Sequence, residues 1–329
     1  MASGMNSCAV SPRSMSERNY TMAKTVLVIG GSEFSGRVFS IHASRSGDFD
    51  LHVVNRGQFP LGLNRVTEYK CDRRNHWMMG RLVPKITYDA LIDFCAYNPG
   101  EIKSVIKELG DRIKQYIFIS TASVYQQAEN GISIKEGDPI LPPEQGQKKD
   151  AVGDYISNKI ELEHELIEAC TAAGIKYTIL RPTFMYGPFN YAPRESYFIE
   201  MIARKHTLPV PVDSTAHFNF VYVVDVARAL MQCVGNKDAF NEVFNLSGKE
   251  SVTYEQLISD FERYNSGPFD IREVTVQEVL DKGIPLPFPL TDDMLYSGEK
   301  IAEALEFEYT PFSEGMEKTF KIFYSLFTS

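Results

Sequence analysis

The feature that most constrains the fold of this chain is a junction between a short apolar run and a group of glycines. Residues 25–29 form the run, Gly30 and Gly31 follow it directly, and Gly36 lies five residues further on. A short apolar run that ends in a turn predicts a buried parallel strand, and the next segment predicts a helix over 35–46. Glycines at such a junction let backbone N–H groups approach a phosphate at the helix N-terminus. The junction predicts a nucleotide-binding unit; the alternative is a glycine-rich turn without a ligand.

Strands and helices continue to alternate up to residue 182. An alternation of this kind predicts a parallel sheet with helices on both faces, and right-handed crossovers make a doubly wound α/β fold the expected result. We therefore expect a dinucleotide-binding Rossmann domain over 24–182. Further strands are predicted at 51–54, 66–70, 90–94, 116–120 and 176–180, and further helices up to 109 and over 154–173.

The amino-acid composition changes after residue 182, where prolines and aromatic residues become more frequent. We interpret 183–329 as a smaller substrate-binding lobe, in which 218–235 can pack back onto the Rossmann core. Short strands are predicted at 218–221 and 243–246. At the other end, 1–23 carries five serines and no apolar segment, so we expect a disordered extension there; organellar targeting is the alternative.

Charge and cysteine content limit the partners and the location. The net charge of −9 disfavours a nucleic-acid partner, because an acidic surface repels phosphate backbones. Five cysteines without a C-x-x-C pair predict reduced thiols and neither a disulfide framework nor a metal site. No apolar run approaches the roughly 18 residues of a membrane span. We expect a cytoplasmic protein that acts on a small molecule.

One Y-x-x-x-K pair lies at the start of the long helix predicted over 154–173. Tyr155 and Lys159 are four residues apart and therefore share a helix face. An ammonium near a phenol lowers the phenol pKa from its ordinary value of about 10. A tyrosine in that state can exchange a proton with a carbinol while a hydride moves on a cofactor. Two other pairs have the same spacing, but this one alone opens a helix after a sheet strand.

Together, the glycine turn and the Tyr155/Lys159 pair resemble the extended short-chain dehydrogenase/reductases, which include the NAD-dependent epimerase/dehydratases. The resemblance covers about 24–329. The usual G-x-x-G-x-x-G motif would place its middle glycine at Glu33. This departure resembles an atypical branch, some members of which are non-enzymatic or bind RNA.

The resemblance extends to the end of the fifth strand, where 120–125 is similar to the family's S-[ST]-x-x-V-Y segment. It implies that Thr121 completes a catalytic triad with Tyr155 and Lys159 by holding the reacting oxygen. Ser123 is the reserve candidate and an expected substrate contact. The alternative is a strand end capped by hydroxyl side chains.

The end of the second strand bears on the choice of cofactor. NAD-binding folds usually carry an acid there, whereas an arginine suits a 2′-phosphate. Arg56, with Arg37 as a second cation, therefore favours NADP(H), with NAD(H) as the alternative; a solvated Arg56 is the other interpretation. The expected cofactor contacts are Gly30, Ser32, Glu33, Phe34, Ser35, Gly36, Asn55, Arg56, Asp72, Arg73, Phe94, Cys95, Ala96, Tyr155, Lys159, Pro182 and Thr183.

Departures from the family pattern bear on the substrate. Sugar 4,6-dehydratases carry Asp-Glu where this chain has Ala122 and Ser123. Nucleotide-sugar epimerases usually carry an asparagine near Phe184 and an arginine near Phe218. We therefore expect a small, partly apolar substrate and a pocket lined by apolar and aromatic side chains, although each of them can equally be a core residue. The candidates are Phe184, Met185, Tyr186, Phe189, Tyr191 and Phe218.

Three functions follow from these features. The leading hypothesis is an NADP(H)-linked oxidoreductase that acts on a carbonyl or a secondary alcohol. The first alternative is an epimerase or isomerase that keeps and recycles its cofactor. The second is a non-catalytic dinucleotide sensor or an RNA-binding protein. The helix over 154–173 can also support a homodimer.

Overall fold

The computed structural model describes residues 22–142 and 151–329. The extension predicted over 1–23 lies outside these residues except for its last two positions. The strands are β1 (Lys24–Ile29), β2 (Phe49–Asn55), β3 (Val66–Lys70), β4 (Ala90–Asp93), β5 (Gln115–Ile119), β6 (Lys176–Pro182), β7 (Phe184–Tyr186), β8 (Leu208–Pro211), β9 (Phe218–Tyr222), β10 (Glu242–Leu246), β11 (Ser251–Val252) and β12 (Ile271–Val274). The helices are α1 (Phe34–Ser46), α2 (His76–Leu82), α3 (Glu101–Leu109), α4 (Ala151–Ala173), α5 (Glu195–Ala203), α6 (Val223–Cys233), α7 (Tyr254–Tyr264), α8 (Val276–Lys282), α9 (Glu299–Ala304) and α10 (Phe312–Thr328).

Seven strands form one parallel sheet in the order β10-β6-β5-β4-β1-β2-β3. The chain winds outward from β1 in both directions, so the doubly wound fold is confirmed. All carboxyl ends of these strands lie along one edge of the sheet. In open α/β sheets, ligands bind outside that edge at the point where the strand order reverses, which here lies between β1 and β4.

Helices cover both faces of the sheet, as a parallel sheet requires. One apolar layer joins the sheet to α1 and α6 and includes Phe39 and Leu230. The other joins the sheet to α3 and α4 and includes Val105 and Leu166. Burial of each such side chain contributes about 1.5–3 kcal/mol. The two layers hold the carboxyl edge of the sheet in a fixed position.

One strand differs from its predicted location. The segment over 243–246 was assigned to the smaller lobe, but it is part of β10, which pairs in parallel with β6. Helix α6, which precedes it, packs against α1. The chain thus returns to the large sheet after leaving it at β6. The order of elements in the sequence cannot predict this return, because pairing between strands some sixty residues apart depends on long-range packing. Helix α2 was also not predicted.

The remaining strands form a second lobe with two small sheets, β11-β9-β7 and β12-β8. Its core is aromatic: Phe218 stacks on Phe288 at 5.1 Å and meets Phe220 at 5.6 Å, and Tyr186 meets Phe220 at 5.7 Å. Tyr186 and Phe218 are fully buried. Their assignment to a substrate pocket is therefore corrected: they fill the core of the second lobe, because alternate residues of β7 and β9 point inward.

None of the helices over the described residues is long and apolar enough to cross a membrane. The same residues contain no group of three or more His, Cys, Asp or Glu side chains that could hold a metal ion.

Candidate active site

A cleft of about 830 Å³ runs along the carboxyl edge of the large sheet. This volume lies within the range of small-molecule sites, roughly 300–1,000 Å³. The predicted residues that line it are Gly30, Ser32, Glu33, Phe34, Ser35, Asn55, Arg56, Asp72, Arg73, Phe94, Cys95, Thr121, Ser123, Tyr155, Lys159, Pro182, Thr183, Met185 and Tyr191. The predicted residues that do not line it are Gly36, Ala96, Phe184, Tyr186, Phe189 and Phe218.

The glycine turn forms one end of the cleft floor. Gly30 has a φ of +87°, and its N–H donates to the carbonyl of Val54 at 3.0 Å. A Cβ atom at Gly30 would lie 2.8 Å from the Sγ of Cys95, and one at Gly36 would lie 2.6 Å from the carbonyl oxygen of Gly30. Gly36 therefore acts outside the cleft lining, by letting α1 pack directly against the turn.

Glu33 replaces the middle glycine of the usual motif. It is the residue before the first turn of α1, it is exposed, and its side chain makes no capping hydrogen bond there. An exposed carboxylate can turn into solvent, so it does not have to face a phosphate at the helix N-terminus.

Two arginines lie at the β2–β3 end of the cleft. Arg56 is exposed, and Arg74 pairs with Asp72 at 2.7 Å. Hydrogen bonds from Arg74 lower the pKa of Asp72 to about 2. Asn55 supports this end by donating to Glu68 at 2.8 Å and accepting from the Gly57 N–H at 2.7 Å. Arg74 was not predicted from the sequence, because no motif marks its position.

Arg37 does not serve as the second cation that the sequence suggested. Its guanidinium donates to the carbonyls of Ser32 at 3.2 Å and Pro60 at 3.4 Å, and it lies 5.3 Å from the ring centre of Phe189. Arg37 is absent from the cleft lining. Helix geometry explains this difference. Gly36 packs on the glycine turn, and Arg37, as the next residue of α1, leaves the helix in another direction.

Arg73 lines the cleft, but its charge is already compensated. Its guanidinium donates to both carboxylate oxygens of Asp93, at 2.7 and 2.9 Å. The Tyr116 hydroxyl donates to the same carboxylate at 2.6 Å. A fully buried carboxylate such as Asp93 requires such partners. Arg73 therefore supports the cleft floor. Burial raises the pKa of the neighbouring Cys95 to about 12, so this thiol is neutral.

Lys159 lies beneath the centre of the cleft, only 2% exposed. Its ammonium donates to the carbonyl of Ile119 at 2.8 Å, at the end of β5, and to that of Ala96 at 3.0 Å, in the loop after β4. It also lies 4.6 Å from the ring centre of Phe118. Burial lowers the pKa of Lys159 to about 8.

Tyr155 lies one helical turn before Lys159 and faces the same cleft, 37% exposed. Thr121 lies across from it at the end of β5, where its hydroxyl donates to Ser123 at 3.2 Å. Burial raises the pKa of Tyr155, against the opposing effects of a hydrogen bond with Thr121 and the charge of Arg194. The structure thus brings the three predicted catalytic side chains to one place.

The expected lowering of the phenol pKa by Lys159 is not found. The ammonium lies 5.8 Å from the ring centre of Tyr155 and points towards the two carbonyls. Removal of the phenol from water is the largest effect on its pKa. Tyr155 is therefore a neutral phenol at pH 7.

Ser120 is a cleft residue that the sequence reasoning did not select. Its side chain is buried, and its hydroxyl has no hydrogen-bond partner in the described part of the chain. A buried hydroxyl without a partner is costly. A ligand group in the cleft would satisfy it.

The loop over 187–194 forms the wall of the cleft opposite the glycine turn. Tyr191 packs edge-on against Phe34 at 6.1 Å, and Phe189 lies under the guanidinium of Arg37. These contacts connect a loop of the second lobe to the first turns of α1. The loop therefore reaches across the cleft.

A buried carboxyl group holds this loop. Asn190 donates to both oxygens of Glu195 at 3.0 Å, and the Gly187 N–H donates to one of them at 3.1 Å. Burial raises the pKa of Glu195 to about 7. Arg194, next to it, lines the cleft and is another residue that the sequence reasoning missed.

The sequence profile of the NAD dependent epimerase/dehydratase family matches residues 26–247. The chain is similar to the chloroplast stem-loop binding protein of 41 kDa b of Arabidopsis thaliana, 26% identical over 71% of this chain and 61% of that protein. It thus spans less than two thirds of this relative. It is also similar to the UDP-glucose 4-epimerase of Vibrio cholerae, 22% identical over 73% of this chain and 75% of that protein.

Solved structures with a similar fold include a UDP-glucuronic acid 4-epimerase from Bacillus cereus in complex with NAD. Its TM-score is 0.74 at 18% identity, over 92% of this chain and 100% of that one. A UDP-N-acetylglucosamine 4-epimerase from Methanobrevibacter ruminantium has a TM-score of 0.75 at 18% identity, over 93% of this chain and 100% of that one. At these identities the likeness shows the fold.

Proposed function

This chain belongs to the NAD dependent epimerase/dehydratase family, and from that premise we propose that it catalyses NAD(P)-dependent hydride transfer at a carbonyl or secondary-alcohol carbon of a small molecule. The observation that carries the proposal is the meeting of Thr121, Tyr155 and Lys159 in the cleft that also contains the glycine turn. A bound nicotinamide dinucleotide supplies the hydride donor or acceptor.

The residues of the cleft fit such a cofactor. The turn packs closely on Cys95 and on α1 because Gly30 and Gly36 lack side chains, and a Cβ at either position would collide with its surroundings. The N-terminus of α1 begins at this turn, where backbone N–H groups favour a pyrophosphate. The buried hydroxyl of Ser120 supplies a hydrogen-bonding group that the described protein leaves unused.

Each catalytic side chain has a separate task in this proposal. Tyr155 exchanges a proton with the substrate oxygen. Thr121 bonds to the phenol and orients it. Lys159 supplies positive charge beneath the reacting groups. Because burial raises the pKa of the phenol, Tyr155 is protonated at pH 7 and can donate a proton to a carbonyl oxygen when the substrate is reduced.

We propose NADP(H) as the cofactor, in preference to NAD(H). Arg56 and Arg74 lie at the end of the cleft where the adenosine ribose binds in this fold. Arg56 is exposed and forms no salt bridge with any described residue. Tyr155, the proposed catalytic residue, lies at the opposite end of the cleft. The guanidinium of Arg56 suits a 2′-phosphate, which accepts bidentate hydrogen bonds from arginine. Arg74 already donates to both carboxylate oxygens of Asp72, so it contributes less than Arg56.

Epimerisation with a retained cofactor is the second candidate, and one observation favours it. The loop over 187–194 contacts α1 through Tyr191 and Phe189, across the cleft from the glycine turn. A cofactor beneath this loop would leave slowly, as recycling requires. The Vibrio cholerae relative and the solved relatives named above are themselves 4-epimerases.

Two measurements on the purified full chain test the proposal. Mass spectrometry of ligand retained through native purification identifies the cofactor and shows whether it is kept. Incubation with NADPH and a panel of ketones and aldehydes then measures net cofactor consumption. Stoichiometric consumption supports a reductase, and product formation at constant cofactor supports an epimerase. Hydride transfer would be refuted if no dinucleotide were retained and no NADPH-dependent reaction were detected.

A further inference from the structure

Arg194 is a cation on the substrate side of the cleft that the catalytic proposal does not use. It lies immediately before α5, lines the cleft and is half-buried. Its guanidinium lies 5.6 Å from the ring centre of Phe184. No side-chain hydrogen bond or salt bridge connects it to another residue within 22–142 or 151–329.

Two other arginines of this protein show how the fold treats buried guanidinium groups. Arg73 pairs with Asp93 at 2.7 Å, and Arg181 pairs with Glu163 at 2.5 Å and with Tyr125 at 2.8 Å. A guanidinium partly removed from water without a partner costs free energy. Arg194 differs from both: it is half-buried, it lies over the ring of Phe184, and no described carboxylate pairs with it, so its guanidinium can accept an anion from the cleft.

The nearest acid in the sequence does not serve as that partner. The carboxyl group of Glu195 accepts hydrogen bonds from Asn190 and from the Gly187 N–H, and no salt bridge joins it to Arg194. Burial also raises the pKa of Glu195 to about 7, so this group carries little negative charge below neutral pH. The positive charge of Arg194 is therefore available to the cleft.

Arg194 lies in the part of the cleft that also contains the proposed catalytic tyrosine. Arg194 and Tyr155 line the same cleft, and the charge of Arg194 acts to lower the pKa of the phenol against the larger effect of burial. Arg56 and Arg74, in contrast, line the cleft at the ends of β2 and β3. An anion at Arg194 would lie in the same cleft as Tyr155, apart from the 2′-phosphate that we assign to Arg56.

We infer that Arg194 determines substrate specificity by binding an anionic group, a carboxylate or a phosphoryl group, on the molecule whose carbonyl or alcohol carbon reacts at Tyr155. This inference rests on the proposed function and narrows its substrate class to anions. Arginine suits this task, because its planar fork donates two parallel hydrogen bonds to either group. The aromatic lining nearby, which includes Tyr97 and Tyr191, would contact the uncharged part of the substrate.

The first test compares Arg194→Met and Arg194→Lys with the wild type and with Arg204→Met as the control. Arg204 is exposed, pairs with Glu200 and follows the same helix. The probes are two matched pairs: phenylpyruvate with its methyl ester, and dihydroxyacetone phosphate with dihydroxyacetone. A preference for phenylpyruvate over its ester identifies the bound group as a carboxylate. A preference for dihydroxyacetone phosphate over dihydroxyacetone identifies it as a phosphate.

For the preferred anion, we expect Arg194→Met to lower kcat/KM by roughly ten- to a hundred-fold, mainly through KM. The neutral member should be unaffected. Arg194→Lys should retain part of the preference, and Arg204→Met should retain all of it. An unchanged preference in Arg194→Met would overturn the inference and leave hydride transfer intact.

The second test does not depend on turnover. Calorimetry of the NADPH-loaded protein measures binding of benzoate and phenyl phosphate, with benzyl alcohol as the neutral probe. We expect one anion to bind to the wild type and to lose roughly ten-fold or more in affinity in Arg194→Met. That loss would support the inference even if no probe ketone were reduced, in which case only the proposed reaction fails. Equal binding to both proteins, or no binding, would overturn it.

Discussion

The ammonium of Lys159 lies 5.8 Å from the ring centre of Tyr155 and donates to main-chain carbonyls at the end of β5 and in the loop after β4. It is thus anchored to the main chain and does not contact the phenol. This anchoring places a charge in a buried position without a salt bridge to any described carboxylate, although the charge of Asp93 acts against the effect of burial on the pKa of Lys159. The free energy of that arrangement can be measured through its pH dependence.

Lys159→Met tests the cost of the buried ammonium. Burial lowers the pKa of Lys159 from 10.5 to about 8, so between pH 8 and 10.5 the unfolded chain binds more protons than the folded one, and wild-type stability rises with pH. The variant lacks this contribution. The free energy of unfolding of the wild type minus that of the variant should therefore rise by about 3 kcal/mol from pH 7 to pH 10.5, as measured by urea unfolding. A difference independent of pH would contradict the buried-charge assignment.

Gly36→Ala tests the packing of α1 on the glycine turn. The added methyl group would lie 2.6 Å from the Gly30 carbonyl oxygen, so the helix must move. We expect a stability loss of about 1–3 kcal/mol and an NADPH affinity at least roughly ten-fold lower, because the helix N-terminus is displaced from the phosphates. Gly137→Ala is the control, since nothing lies within 4 Å of its added atom. Equal NADPH affinity in the two variants would argue against a phosphate site at this turn.

Arg56→Ala and Arg74→Ala test the preference for NADP(H). The wild type should bind NADPH more tightly than NADH, and Arg56→Ala should lose about ten-fold in NADPH affinity with little change for NADH. Arg74→Ala should lose less, because Arg74 already pairs with Asp72. Titration by the fluorescence of the reduced nicotinamide measures both affinities. Arg81→Ala serves as the control, because Arg81 stacks on Trp77 and does not line the cleft. Equal affinity of the wild type for the two cofactors would remove the argument for a 2′-phosphate.

The fold and most residues of the cleft could be predicted because they follow from strand ends. A parallel sheet brings the carboxyl ends of its strands to one edge, so the residues after β1, β4 and β5 meet there whatever their side chains are. Thr121 and Cys95 reach the cleft for this reason, whereas Tyr155 reaches it from helix α4. The role of β10 could not be predicted in the same way, because its pairing with β6 involves residues far apart in the chain.

Side-chain direction was the main limit of the sequence reasoning. Tyr186 and Phe218 have the aromatic character of a pocket lining, yet they face the core of the second lobe. Arg37 turns towards Pro60, and Arg73 is held by Asp93. Composition does not distinguish these outcomes, because the same residue types serve a core, an ion pair or a ligand.

Charged residues of the cleft that belong to no sequence motif could not be predicted, for a related reason. Arg74 and Arg194 belong to no spacing pattern, and their importance comes from the cleft that the folded chain places beside them. The pKa of Tyr155 likewise depends on how far the surrounding protein excludes water from the phenol, which residue spacing does not determine.

The most direct test of the central claim is the rate of substrate turnover by Tyr155→Phe, with NADPH affinity measured on the same preparation. If Tyr155 transfers the proton, kcat should fall by roughly 10²–10⁴-fold, while the affinity for NADPH stays within about two-fold, because the phenyl ring of the variant preserves the packing against Tyr97. Turnover close to that of the wild type would contradict the assignment of Tyr155 and, with it, the proposed reaction.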